Sequence, residues 1–363
     1  MANSTVPGKI LAAFGVDEKK SSISKLGRGR INDTYLVESH RTSFVLQKIN
    51  DAVFPRPEIV ARNFAVITTH LRAKKKSLAP GFIFAESRLT ADGQIMVLDD
   101  EYKLWRGQQY IGYGTLPLEP DNLQVFHIGK TLASFHLLAG DLDVGLLGEA
   151  LPGFHNLPRY LKILDCQVAG RSPDETWLDR YCSGSVAMFR HRGGCLEDGR
   201  LQGKLTLRPI HGDPKLDNFI VDSDGRPAGL IDLDTAGPGL VLHDIGDCLR
   251  SCCSSGAKLP PGSGGRRFDN EKCLQLLKGY FSVGKNMLSA IEKDYIFDAM
   301  LLLPFELGVR FYTDHLQGDV YFKVDNHGQN LYRAAVQFAL VRELAANENR
   351  IRMEIGSVLA GGS

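Results

Sequence analysis

The sequence predicts an α+β chain of two lobes, a small antiparallel sheet leading and a mainly helical body following. Three observations carry that prediction. The first hundred residues alternate short strands with turns, the part beyond residue 120 is dominated by long apolar helical periodicities, and strands return between residues 205 and 234 around a cluster of His, Asp, Lys and Asn. At 363 residues with 43% hydrophobic side chains, the chain exceeds one ordinary core and suits two.

The elements follow in order. Ile10 to Val16 is a short apolar stretch led by Lys9 and closed by Asp17-Glu18-Lys19-Lys20, which fits a surface helix and lacks the cleavage pattern of an export signal. Leu26-Gly27-Arg28-Gly29-Arg30-Ile31-Asn32-Asp33 passes from a glycine turn into an alternating strand through Val37, and Ser43 to Ile49 supplies its antiparallel partner. Gly27 and Gly29 would let backbone N–H groups approach phosphate oxygens, with Asn32 as an added donor, although any hairpin turn also uses glycine. Lys48 lies on the second strand, facing either a cleft or solvent, and alternation alone leaves both open. Pro55 to Ala73 predicts a helix with Ile59, Val60, Phe64, Ile67 and Leu71 on one face. Its early Glu58 either partners Lys48 or compensates the helix dipole.

Ile83-Phe84, Ile95 to Leu98 and Tyr102 to Arg106 complete the predicted sheet. A polar, Gly- and Tyr-bearing segment at Gln108 to Gly114 then suits a hinge, dividing residues 1–107 from 108–363. Helical periodicity follows at Asp121–Leu138, Leu157–Val168, Glu175–His191, Glu271–Val283, Lys293–Leu316 and Leu331–Ile355. Ser254 to Gly265, with Pro260-Pro261, reads as a surface loop.

Composition narrows the function classes. The 43 basic and 42 acidic residues leave a net charge of +1, which gives no reason to expect a nucleic-acid or anionic-membrane partner, and no run reaches the length of a membrane span. Seven cysteines, odd in number and without a CxxC pair, point to reduced thiols in the cytoplasm. The sequence is silent on oligomeric state.

His211-Gly212-Asp213-Pro214-Lys215-Leu216-Asp217-Asn218, followed by Ile231-Asp232-Leu233-Asp234, carries the chemistry. The spacing matches the catalytic loop of kinase-like phosphotransferases. Phosphoryl transfer needs a carboxylate to take a hydroxyl proton, assigned to Asp213, and a cation near the moving phosphate, assigned to Lys215. Asn218 and Asp232 offer the hard oxygens that Mg²⁺ prefers, from the two open ends of a predicted hairpin. Asp234 is either a second metal ligand or a loop brace. His211 is expected to prop the loop, and Asp244 and Asp247 to cap a helix beginning near Ile245. ATP and Mg²⁺ are the expected cofactors, with residues 1–107 the nucleotide-binding lobe and 108–363 the catalytic and acceptor lobe.

The same loop, with the later His243-Asp244-Ile245-Gly246-Asp247, resembles the aminoglycoside phosphotransferase and choline kinase superfamily over nearly the whole chain. Within it the likeness is to the N-acetylhexosamine 1-kinases, carried by Gly29 to Val37, by Phe44 to Asn50 with Val53-Phe54-Pro55, and by Gly308-Val309-Arg310-Phe311-Tyr312 running on to Gly318-Asp319-Val320-Tyr321-Phe322. The resemblance implies a protein-kinase-like bilobal fold and ATP-dependent phosphorylation of the anomeric hydroxyl of N-acetylglucosamine or N-acetylgalactosamine, with Arg310, Tyr321 and Asp213 meeting the sugar. It implies Lys48 as the nucleotide lysine less firmly, because related enzymes are not uniformly basic there. Independently, the mixed donors and acceptors of Arg310, Tyr312, Asp314, His315, Asp319 and Tyr321 suit a neutral polyol better than a cation. The competing reading is a plain charge ladder of Glu306, Arg310 and Asp314 on a helix face. A kinase of choline, homoserine, an aminoglycoside or another sugar would share the same catalytic loop, and an inactive binding module would be expected to have lost one of its residues.

Overall fold

A computed structural model describes residues 6–26, 31–40, 42–112, 114–169, 176–254 and 268–361. The first lobe is an antiparallel sheet of β1 (Ser21–Lys25), β2 (Asp33–Ser39), β3 (Ser43–Lys48), β4 (Ser87–Arg88), β5 (Val97–Leu98) and β6 (Leu104–Gln109), in the order β1-β2-β3-β6-β4, with β5 also on β6. Register decides which residues share a face. Lys48 lies between its cross-strand partners Asp33 and Trp105 on one side, and Gln47 between Thr34 and Arg106 on the other.

The first of these faces also carries Tyr35, Val37, Phe44 and Leu46. It is covered by α1 (Gly8–Ala13), whose Ile10 and Leu11 are buried with Phe14 just beyond it. The expected surface helix is therefore a buried one. The alternating apolar side chains of β2 and β3 need a cover, and this short segment provides it.

The other face looks toward α2 (Pro57–Leu78), which starts with Pro at its first turn, as its sequence predicts. Phe64, Ile67 and Leu71 of α2 join Phe82, Phe84 and the apolar face of α3 (Asn122–Ala139) in one large core, so apolar packing joins the lobes as well as a connecting strand. Asp121 and Gln124 form a reciprocal capping box at the start of α3. Ile83, expected in the first sheet, pairs instead with the second lobe, where a Cβ on Gly229 would come within 2.1 Å of its carbonyl oxygen. Gln108 and Gln109, expected in the hinge segment, belong to β6.

The second lobe continues with α4 (Leu157–Val168), α5 (Trp177–Phe189), α6 (Cys195–Leu201), β7 (Leu207–Ile210), β8 (Phe219–Val221), β9 (Pro227–Leu230), β10 (Gly237–Leu240) and α7 (Val241–Cys252). After these come α8 (Asn270–Gly284), α9 (Ala290–Asp294), α10 (Ile296–Leu316), α11 (Gln329–Ala346) and α12 (Glu348–Gly361). Two expected long helices are each broken, one at Tyr295 and one at Asn347. Helix α7 begins before the expected start at Ile245 because Val241 and Leu242 are already buried in the core. No helix among the described residues is long and apolar enough to cross a membrane. All seven cysteines are free thiols.

Candidate active site

Strand β7 delivers the loop His211–Asn218 to the junction of the lobes, and a buried carboxylate holds it there. Asp244, completely buried in the first turn of α7, accepts the N–H of His211 at 2.7 Å and of Gly212 at 2.8 Å. It also meets His136 Nε2 at 2.9 Å, while His136 Nδ1 meets the Tyr280 hydroxyl at 3.0 Å. The expected helix cap is thus a loop clamp, because the earlier start of α7 turns this side chain inward. Burial works against the Asp244 charge, but these bonds outweigh it and hold the pKa below the usual carboxylate range.

His211 props the loop as expected. Its Nε2–H donates to the Ile231 carbonyl at 3.0 Å and its Nδ1 accepts the Asp213 N–H at 3.3 Å, a pattern that fixes the neutral tautomer. Burial lowers its pKa, in keeping with that state. Gly212 is needed for its backbone: φ is +85°, and a Cβ there would meet the Thr235 carbonyl at 2.7 Å. Its carbonyl accepts from His155 Nε2 at 2.9 Å, and His155 Nδ1 faces Glu306 at 3.1 Å. Burial alone would lower the His155 pKa, but Glu306 reverses it, so both nitrogens can donate.

Lys215 Nζ bonds the Asp213 carboxylate, and Asn218 Nδ2 donates to the Asp213 carbonyl at 2.7 Å, leaving Asn218 Oδ1 available. Burial disfavours the Lys215 charge, yet Asp213 outweighs it and raises the pKa. The β8–β9 hairpin forms as predicted, with the Ile231 N–H on the Asn218 carbonyl at 3.0 Å, so Asn218 and Asp232 leave its open ends together. Asp232 sits in the left-handed region at φ +68°. Burial, then the charges of Asp234 and Asp213, push its pKa up to about 7 against the pull of Lys215 and Arg106. Asp234 accepts from Asn32 Nδ2 and from Arg106 Nη2. Asp232 thus stands within the fields of two further carboxylates, and oxygen donors gathered in this way suit a divalent cation.

Two nucleotide-site expectations change. Lys48 lies on the sheet face opposite Gln47 and Arg106, over the Trp105 ring at 6.0 Å and 3.4 Å from Asp33, so the structure does not bring it to Asp234. Glu58 pairs with Arg56 at 3.4 Å instead of with Lys48. The cation that does arrive is Arg106, one strand position on from Trp105, with its guanidinium over Phe64 at 4.4 Å and two bonds to Gln47 Oε1. An arginine directly after the apolar Leu104-Trp105 of that strand was the available signal. Gly27 and Gly29 lie outside the described residues, whereas Asn32 is buried and also accepts the Asn50 N–H at 2.8 Å.

Arg310, on α10, sits among aromatic rings: its guanidinium lies 5.1 Å from Phe154, 5.2 Å from Tyr160, 5.9 Å from Tyr321 and 5.5 Å from Phe322. Among the described residues it makes no ion pair. Burial disfavours its charge, and the fields of Tyr160, Glu306, Tyr321 and Asp213 outweigh it. Tyr321 is positioned by Asp314, which accepts its N–H at 2.7 Å and that of Phe322 at 2.9 Å. Glu306 and Asp314 therefore bond elsewhere and do not form a ladder with Arg310.

The same architecture recurs in known proteins. A microcompartment-associated aminopropanol kinase matches over 94% of this chain and 97% of its own, at 18% identity and a TM-score of 0.65. An amicoumacin kinase in complex with AMP-PNP and Ca²⁺ matches over 93% of each chain, at 15% identity and a TM-score of 0.62. Choline kinase from Cryptosporidium parvum matches over 98% of this chain and 96% of its own, at 13% identity and a TM-score of 0.58. These establish the kinase-like fold. Residues 22–268, more than half of the chain, match the Phosphotransferase enzyme family, and they include the whole catalytic loop with its clamp at Asp244. The chain belongs to that family, which makes it a small-molecule phosphotransferase.

Proposed function

We propose that the chain is an ATP- and Mg²⁺-dependent kinase that phosphorylates the anomeric hydroxyl of N-acetylglucosamine or N-acetylgalactosamine. One observation carries the acceptor class: the Arg310 guanidinium is ringed by Phe154, Tyr160, Tyr321 and Phe322 and makes no ion pair among the described residues. A cationic acceptor such as choline would be repelled by that guanidinium. A neutral sugar gives it hydroxyl and amide oxygens, while the surrounding rings pack on the sugar faces.

In this reading Asp213 accepts the proton of the acceptor hydroxyl, whose oxygen attacks the terminal phosphorus as the bond to ADP breaks. Lys215 turns from Asp213 toward the transferring phosphate. Asn218 Oδ1 and Asp232 would hold Mg²⁺, which supplies positive charge against the phosphates. Asp234, engaged by Asn32 and Arg106, serves as a brace that directs Asp232. Arg106, with its Nη1 buried and unpartnered, takes the cationic role expected of Lys48.

A panel of acceptors incubated with ATP and Mg²⁺ tests the reading. The expected product is the 1-phosphate of an N-acetylhexosamine, with none from its methyl glycoside. Phosphorylation at C6, or faster turnover of choline, aminopropanol or an aminoglycoside, overturns it.

A further inference from the structure

We propose that His315, Asp319 and His327 form a second cation site, for a divalent transition metal of the zinc class, that fixes the segment carrying Tyr321. His315 comes from the last turn of α10, Asp319 from the turn after it, and His327 from just before α11, and their ligand atoms lie within 4.8 Å of one another. His327 Nδ1 and Asp319 Oδ2 are 3.0 Å apart, and the two imidazole rings are 5.1 Å apart between centroids.

Donors on one tetrahedral zinc, at bond lengths of about 2.0–2.2 Å, stand roughly 3.3–3.5 Å apart. Closing this set needs a small movement, and His327, whose side chain is 76% exposed, is free to make it. Two imidazoles with one carboxylate select a transition cation over Mg²⁺ or Ca²⁺, which take oxygen ligands.

The supporting shell is also present. Asp319 Oδ1 accepts Asn330 Nδ2 at 2.9 Å, and the same amide reaches Asp314 Oδ2 at 2.9 Å. Asp179 Oδ1 lies 4.0 Å from His315 Nε2, one small shift from the carboxylate–imidazole hydrogen bond that orients metal ligands. Asp314 holds the Tyr321 and Phe322 N–H groups. A cation on Asp319 therefore stiffens the acceptor segment through Asn330 and Asp314.

Full-length protein stripped of metal is titrated with Zn²⁺ without nucleotide or sugar, so the readout does not depend on which acceptor is used. An Asp232→Asn background removes the catalytic cation site from the count. One equivalent of Zn²⁺ is expected to bind in that background, and His327→Ala should weaken it at least tenfold and abolish the visible band of the Co²⁺ form. Because His327 is exposed, the variant keeps its fold, which a thermal melt verifies. Hydrogen exchange over residues 317–328 should slow on zinc addition in the wild type and not in His327→Ala. The proposal is overturned by the absence of stoichiometric binding, by a His327→Ala titration equal to wild type, or by zinc binding that leaves exchange in this segment unchanged.

Discussion

Arg106 and Asp234 form a buried ion pair across the junction of the lobes, with side chains 2% and 8% exposed. Arg106 belongs to β6 of the first sheet, and Asp234 to the turn that follows Asp232. The pair links the first sheet to the turn beside the proposed metal ligand, so lobe position and metal geometry are mechanically connected. Asn32 reaches the same carboxylate from the start of β2, giving Asp234 two partners from the first lobe.

Breaking this pair should be expensive and one-sided. Arg106→Met leaves Asp234 buried without its cation and is expected to destabilise the protein by about 3–5 kcal/mol, whereas Lys48→Met removes only a half-exposed pair and should cost under about 1 kcal/mol. The double variant Arg106→Met, Asp234→Leu should recover a large part of the loss. Urea unfolding of the four proteins checks this, and equal losses for Arg106 and Lys48 would mean the ion pair does not anchor the junction.

The proposed base makes a kinetic prediction. Asp213→Asn keeps the shape and the Asn218 contact to the Asp213 carbonyl but cannot take a proton. It is expected to lower kcat by roughly 10²- to 10⁴-fold with little change in the KM for ATP. Steady-state rates with a saturating acceptor test this, and activity within a few-fold of wild type removes Asp213 from the role.

Much of this site was legible in the sequence because its residues are local. His211 to Asn218 and the β8–β9 hairpin fix their own geometry through spacing and turn chemistry, so the meeting of Asn218 and Asp232 follows from chain order. Arg106, His155 and the inward turn of Asp244 were not legible. Each acts across more than thirty positions of sequence, through a register or helix start that only tertiary packing decides. Lys48 illustrates the same limit: Gln47 and Lys48 point to opposite faces, and the cover provided by α1 determines which face is which.

Asp232 supplies a pH signature. Its folded pKa, raised to about 7, lies above the unfolded value near 3.9, so the metal-free fold is penalised as pH rises from about 4 through about 7. Mg²⁺ competes with that proton. Its apparent affinity should climb as much as tenfold per pH unit below 7, level off above it, and lose most of this dependence in Asp232→Asn. Calorimetric Mg²⁺ titrations with an ATP analogue at several pH values follow the effect. A flat profile in the wild type would place the metal away from Asp232.

Arg310 separates function from stability. The fold favours the Arg310 charge and seats its guanidinium on four rings, so Arg310→Leu, which keeps apolar contact with Phe154 and Tyr160 but loses the cation–π contacts, is expected to lower Tm by only a few degrees. The same change removes the donors proposed to meet the sugar. It should therefore lower kcat/KM for the N-acetylhexosamine by 10-fold or more, about 1.5–3 kcal/mol for hydrogen bonds to a charged group, while the KM for ATP stays nearly constant. A thermal melt and acceptor kinetics on one preparation measure both halves. If Arg310→Leu improved turnover of choline or aminopropanol while sparing the sugar, the guanidinium would be excluding cations without binding the acceptor, and the sugar contact would have to lie elsewhere in the pocket.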